Sequence, residues 1–463
     1  MISGRATLSA LGALVLVSAG AAGYLFGLEG AAVVVGLVAA GLLAAVLVRA
    51  VPGVVERRPA PVTQEVAVHR SGPPDLRRLV GAAIAVRMVS AVVCNLTGFN
   101  GMVAPDSAAY AYYGKMLAKY WQNPAFDVRA VVGFNPRSFY QNLNAVVVYL
   151  LGIDPSLILS LSNAILGTVA AWLTSRLAYR LYGADGARRA FILVAFLPSI
   201  ILWTSINLRD AWSFTILMGS LLCAQALRER FSVTRLAIMI GCFSVMPFVR
   251  AYLVPIVGLG IVASYLVVRI RRIPTALLSL AGLVGFLLVL ADQFGVSFAI
   301  DLEDRLQTFE KMRNGLAYGQ SAFDTSVSIS TPGGALLYLP FGVANFLLSP
   351  FPWRISSWRQ VMAMPETFFL YWMLYQAVGE AFRNVRTRLG DVAMVIFVTV
   401  VITCAYGLVE GNEGTAYRHR AHVLLLLAVF AGGAHARRLA QRNSDVLSRQ
   451  GSPALPRMSP VRS

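Results

Sequence analysis

The sequence predicts an all-α polytopic membrane protein with about twelve transmembrane helices, and with interfacial or re-entrant helices in two large outer loops. Three observations carry this. The 463 residues are 57% hydrophobic and only 13% charged, so most of the chain belongs in lipid and a single soluble core is excluded. The apolar runs are mostly of spanning length, near the ~20 residues a bilayer requires. Arginines cluster in the short segments between runs, as the positive-inside rule produces. The net charge of +18 is therefore a topology signal rather than the basic face of a nucleic-acid binder, and no nucleic-acid partner is expected.

In chain order, the spans are expected at 7–27, 30–48, 79–98, 156–177, 190–207, 211–227, 236–249, 251–268, 275–292, 363–382, 391–409 and 421–436. Residues 1–50 form an N-terminal transmembrane hairpin. Arg5 and the small residues near Ala22 superficially fit a signal peptide, but a second span follows Glu29 at once, so the hairpin is read as retained. Residues 51–78 are a Pro-rich cytoplasmic linker marked by Arg57, Arg58, Arg70, Arg77 and Arg78. Residues 79–436 are the core. Residues 437–463 form a cytoplasmic tail rich in Ser, Pro and Arg, expected to be disordered.

The clusters Arg176/Arg180/Arg188/Arg189, Arg228/Arg230/Arg235, Arg269/Arg271/Arg272 and Arg383/Arg386/Arg388 all fall on the cytoplasmic side on one condition: that 141–152 and 335–348 do not cross. Both termini are then cytoplasmic, and the loops 99–155 and 293–362 lie outside.

The first outer loop holds a helix starting near Asp106. Tyr110, Tyr113, Leu117, Tyr120 and Trp121 recur on one side, with Lys115 and Lys119 opposite, which suits a membrane interface. In the second loop Leu302, Leu306, Phe309 and Leu316 share the apolar face of an amphipathic helix. Cys94, Cys223, Cys242 and Cys404 lie within spans without CxxC spacing, so neither a disulfide frame nor a zinc site is expected, and no metal-ligating residues are assigned.

The chemistry-bearing residues are the outer charges. Arg129, Arg137, Arg209, Arg250, Arg354, Arg359, Arg418 and Arg420 are not explained by the inside rule. Arginine's planar fork suits a lipid phosphate at headgroup level, although such side chains also snorkel or bind ordinary headgroups. Asp106 fits both an N-cap and a functional acid. Asp210 follows Arg209 at the tip of a tight hairpin, and fits a surface ion pair or a used acid. Glu410-Gly411-Asn412-Glu413-Gly414-Thr415-Ala416-Tyr417-Arg418-His419-Arg420 is a third site, with glycines that permit close approach. It lacks the GKS/T ending of a phosphate-binding Walker loop. Arg87, in mid-span, fits either an acid partner or snorkelling.

Several of these stretches resemble the GT-C superfamily of integral-membrane glycosyltransferases. They are the early outer acid with its interfacial helix, Gly152…Asn163-Ala164…Gly167, Leu197-Pro198-Ser199…Trp203…Arg209-Asp210, Pro350-Phe351-Pro352-Trp353, and Gly411 to Arg420. The resemblance, to bacterial glycosyltransferase family 39-like members, covers roughly 79–436. It implies a polyprenyl-phosphate sugar donor and an extracytoplasmic glycan, lipid or protein acceptor at a bacterial plasma membrane. It also implies an inverting transfer, with Asp106 and Asp210 catalytic. Arg418 and Arg420, helped by Arg250 and Arg354, would clamp the donor phosphate. Tyr110, Arg209, Asn412 and Glu413 would support the acceptor or the loops. One acid at Asp106, where many members carry a pair, leaves a divalent cation open as a cofactor. Two other classes stay open: a polysaccharide polymerase, also acting on lipid-linked glycans outside, and a lipid-linked sugar transporter or flippase.

Overall fold

A computed structural model describes residues 73–123, 138–269, 302–319, 321–355 and 357–450. The expected hairpin at 7–48, most of the 51–78 linker, the 275–292 span, Arg129, Arg137 and the end of the tail lie outside the described residues.

The described chain is helical, with one isolated bridge, Ala322 to Asn412, as its β pairing. In order the helices are α1 (Arg77–Leu96), α2 (Phe99–Val103), α3 (Pro105–Gln122), α4 (Phe139–Leu151), α5 (Pro155–Phe196), α6 (Pro198–Trp203) and α7 (Asp210–Glu229). Then follow α8 (Val233–Arg250), α9 (Leu253–Arg269), α10 (Leu302–Leu316), α11 (Pro332–Leu348), α12 (Trp358–Val409), α13 (Glu413–His419) and α14 (Ala421–Gln450). Six of them, α1, α5, α7, α8, α12 and α14, are long and apolar enough to cross a membrane. The chain is a helical membrane protein.

Two of those six fold back on themselves. Asn95 of α1 donates to Ser160 Oγ (3.1 Å), while Arg87, two turns earlier, donates to Ala195 O (2.7 Å). An unbroken helix would separate Ser160 from Ala195 by about 50 Å, against about 12 Å between Asn95 and Arg87. The fold-back is at Gly183, whose φ of 74° an L side chain would resist. In α12, Tyr371 donates to Leu348 O, and Tyr406 stacks on Phe346. Both arms thus meet the same end of α11, and the break is at Arg388. The two turns lock each other: Arg388 Nη1 donates to Leu181 O (2.7 Å) and its guanidinium lies 4.6 Å over the Tyr182 ring.

Arg87 is fully buried, and among the described residues it pairs with no acid. Pro198 has no N–H for Val194 O, and the Ser199 N–H goes instead to Glu366 Oε2 (2.9 Å). Arg87 fills the gap, with Nη2 on Val194 O (3.2 Å), Nη1 on Ala195 O (2.7 Å) and Nε on Thr204 Oγ1 (3.1 Å). An arginine in a span is thus consumed by the carbonyls that a proline frees.

The two loops expected outside each bury residues that their apolar spacing does not mark. The buried face of α3 is Ser107, Ala111, Gly114, Leu117 and Ala118, not the row of rings. Small residues are needed there because a Cβ on Gly114 would lie 2.4 Å from the Asn144 side chain of α4. The rings flank this contact, Tyr110 edge-on to Tyr140 and Trp121 edge-on to Tyr149. Lys115 pairs with Asp154 (2.6 Å). In α10, Leu306 is buried as expected, and so is Arg313, stacked over Tyr338 and bonded to Val327 O (2.7 Å).

Candidate functional site

A buried loop sets the site. Residues 204–209 join α6 to α7 inside the protein, where their backbone must find partners. Asn163 supplies them, donating to Ile206 O (2.8 Å) and Leu208 O (2.7 Å), while Asn207 Nδ2 donates to Asn144 Oδ1 (2.7 Å). Asp210 is thereby fixed in the first turn of α7, where the helix dipole favours an anion.

Asp210 is fully buried, and both its oxygens are taken. Arg250, the last residue of α8, donates Nη2 to Oδ1 (2.6 Å). Arg418 of α13 donates Nε (2.9 Å) and Nη2 (2.7 Å) to Oδ2. The third guanidinium nitrogen of Arg418, Nη1, donates to Asp106 Oδ2 (2.7 Å). Burial pulls the Arg418 guanidinium down, but Asp210 and Asp106 hold it above its ordinary value. Four residues from four helices, more than 300 positions apart at the extremes, thus form one ionic chain. Only its last member opens to solvent: the Asp106 side chain is 58% exposed.

Asp106 is not an N-cap. Pro105 opens α3, Ala104 holds the cap position without a side-chain bond, and Asp106 sits within the first turn. Asp210 is not one half of a surface pair with Arg209. No known protein-family model, curated protein or solved structure matches this chain. Its chemistry therefore has to be read from these side chains.

The expected phosphate clamp divides. Arg418 and Arg250 are both spent on Asp210. Arg420 and Arg354 are elsewhere: Arg420 turns to the other side of α13, donating Nη1 to Leu347 O (2.7 Å) over the Tyr417 ring, and Arg354 is exposed after α11. Arg209, expected to support the acceptor or the loops, is a different case. Its side chain makes no hydrogen bond among the described residues, its Nε is buried without a partner, and it lies within electrostatic reach of Tyr110. Burial pushes the Tyr110 phenol up, with Arg209 and Arg418 opposing, so Tyr110 offers a neutral hydroxyl beside Asp106.

Asn412 supports the loops: it caps α13 at Gly414 N (2.8 Å), donates to Tyr318 O (2.8 Å) and accepts from Ser321 Oγ (3.1 Å). Gly411 does permit a close approach, to the protein itself, since a Cβ there would lie 2.1 Å from Arg313 O. Glu413 bonds Gln360 away from Asp210.

Behind Arg250 lies a polar layer to which the sequence reading assigned no role. Arg250 Nη1 donates to the Tyr252 hydroxyl (2.7 Å), which meets the Tyr406 hydroxyl. His419 bonds Glu410 through Nδ1, faces Arg250 Nη1 through Nε2 (3.3 Å) and stacks on Tyr406. Burial lowers the His419 pKa, with Glu410 opposing and Arg250 adding to the fall. A neutral ring with Nδ1–H toward Glu410 and its Nε2 lone pair toward Arg250 satisfies both contacts. Glu410 and His419 stand inside the glycine-containing motif 410–420 at the end of an apolar run, and that placement was their one sequence signal.

Among the described residues no group of three or more His, Cys, Asp or Glu is placed to hold a metal ion. The two aspartates do not fit a divalent cation between them, because the Arg418 guanidinium already fills that position.

Proposed function

We propose that this chain is a glycosyltransferase of the bacterial plasma membrane, moving a sugar from a polyprenyl-phosphate donor to an extracytoplasmic acceptor. The observation that carries the reading is the graded ionic chain. Its inner carboxylate, Asp210, is saturated, and its outer one, Asp106, is exposed with one oxygen held and the other free. That division suits a positioned base beside a cation and a phenol. In the reaction the acceptor hydroxyl loses its proton to Asp106, and its oxygen bonds to the anomeric carbon. The bond from that carbon to the phosphate oxygen breaks, and the electron pair leaves with polyprenyl phosphate. Arg209 and the Tyr110 hydroxyl would meet the departing phosphate. A phosphate leaves without a strong acid, so a single inverting displacement suffices. Asp210 acts here as a positioning residue, through Arg418, rather than on substrate.

The proposal carries the twelve-span topology with it. The turns at Gly183 and Arg388, with their arginines, face the cytoplasm, and Asp106 faces outside. One observation favours the polymerase alternative: the second loop is stitched to the motif, Phe323 N to Gly411 O (2.8 Å) and Glu413 N to Ser321 O (2.9 Å), so a late outer loop also borders the site.

The test is release of polyprenyl phosphate from labelled donor by purified protein in nanodiscs. Asp106→Asn should fold and melt like wild type, within about 1 kcal/mol for an exposed ion pair, and lose at least about a hundredfold in turnover. Wild-type turnover by this variant would remove Asp106 as the base.

A further inference from the structure

α13 has two sides. Arg418 and His419 face the Asp106–Asp210 chain, and Tyr417 and Arg420 face the first arm of α12. The second side is also charged. Arg420 is 1% exposed, and its Nη1 is used on Leu347 O at the C-terminus of α11. Its Nη2 is buried without an acceptor, and it makes no ion pair among the described residues. Arg418 and Arg250 are buried too, but they share a carboxylate. A helix C-terminus offsets part of a guanidinium charge, yet a buried donor without an acceptor leaves its desolvation uncompensated, the more so when charged. Burial accordingly pushes the Arg420 guanidinium below its ordinary range.

Neither nearby acid pairs with it. Glu366 spends Oε2 on two donors, Ser199 N (2.9 Å) and the Tyr417 hydroxyl (2.8 Å). Burial raises the pKa of Glu413, so the second acid within reach of Arg420 resists carrying charge. Trp353 and Trp358, 77% and 73% exposed, flank the entry to α12 as rings do at headgroup level.

We propose that Arg420 is the centre of a second anion site, separate from Asp106, that takes a phosphate ester. The missing partner of Nη2 is a phosphate oxygen, which accepts a charge-assisted hydrogen bond. Sites on both sides of α13 would let two phosphate-bearing molecules bind at once. The site does not require Asp106 to do chemistry, so the two proposals fail separately.

The experiment is calorimetric titration of the full chain in neutral phosphatidylcholine nanodiscs with geranyl phosphate, and separately with inorganic phosphate. Wild type should bind geranyl phosphate at two sites. Arg420→Lys keeps a cation for Leu347 O but loses the second arm, and should weaken one site at least about tenfold while sparing the other. Arg209→Gln should do the reverse. Glu366→Gln keeps acceptors for Ser199 and Tyr417 and removes a negative charge beside Arg420, so it should tighten the Arg420 site severalfold, a gain that misfolding cannot mimic. Competition by inorganic phosphate would identify a free phosphate as sufficient, and binding of geranyl phosphate alone would identify a lipid ester. Unchanged binding by Arg420→Lys would overturn the proposal, as would unchanged or weaker binding by Glu366→Gln; a single site in wild type that Arg420→Lys weakens and Arg209→Gln spares would instead overturn the site beside Asp106.

Discussion

Replacing Asp210 by Asn should damage the fold more than any other single-atom change in the described site. The variant keeps the shape and one carbonyl oxygen but removes the charge that Arg250 and Arg418 share, and its amide N–H groups then face a guanidinium. Three donated bonds, at 2.6, 2.7 and 2.9 Å, lose an anion at a position with no solvent to replace it. Breaking a buried pair from one side costs about 3–5 kcal/mol. Both arginines retain other contacts, Arg250 with Tyr252 and Arg418 with Asp106, which places the expectation near the lower end, about 3 kcal/mol. Against a total of roughly 5–15 kcal/mol, that is a large fraction. Asp154→Asn is the internal control. Its pair with Lys115 is 44% and 53% exposed, and its cap to Ser156 N (2.9 Å) survives as Asn, so its cost should stay under about 1 kcal/mol. The assay is thermal or denaturant unfolding of both variants in one detergent. Equal shifts for the two would refute the claim that Asp210 holds the site together.

Further outcomes follow from the same geometry. Arg418→Lys keeps the charge but cannot bridge two carboxylates at once, so it should melt lower than wild type and lose turnover, read by unfolding and by polyprenyl phosphate release. His419 is shifted down from 6.5 chiefly by burial, so an unfolded chain takes its proton first as pH falls. Its stabilising contribution is complete above about 6.5 and is lost as pH drops through the lower folded value, so wild type should lose more melting temperature between about pH 7.5 and about pH 5 than His419→Gln. For topology, exposed positions make the useful probes: Gln122→Cys and Asp324→Cys should react with an impermeant thiol reagent on intact cells, and Asp185→Cys and Thr387→Cys should not. Asn144, which loop logic alone would select, is fully buried and would stay silent on either side.

The helical membrane class was legible because hydrophobicity and arginine spacing are local properties of the chain. So were the turns at Gly183 and Arg388, each within an arginine cluster. Asp106, Asp210, Arg250 and Arg418 could be singled out because each is a charge where lipid or the inside rule disfavours one. Their partners could not. Nothing local distinguishes Arg418, which ends up on two aspartates, from Arg420, two residues later, which rotates to the opposite side of a short helix. Nor does sequence show that Pro198 leaves two carbonyls for Arg87, since that arginine is more than 100 positions away. The face of α3 that packs on α4 was not legible for a related reason. Tyrosines carry more apolar area than glycine and alanine, but the close approach to Asn144 selects for the absence of side chain, which a hydrophobic period does not register.

Under the proposed function, the contrast between the two aspartates gives them different tasks. A carboxylate that is fully buried and doubly paired is a fixed charge, and taking up a proton there would strand two guanidiniums. A carboxylate that is merely exposed has no defined position. Asp106 avoids both limits because Arg418 is itself immobilised by Asp210, so one arm of a rigid guanidinium can hold one oxygen of a solvent-facing acid. The arrangement predicts an order of sensitivity. Changes at Asp106 should act on turnover with little effect on the fold. Changes at Asp210 should act on both. Changes at Arg250, which reaches Asp106 only through Asp210 and Arg418, should reduce turnover only as far as they loosen the fold. A variant at Arg250 that melted like wild type and was still inactive would place Arg250 on the substrate, and would require a different division of labour among the four residues.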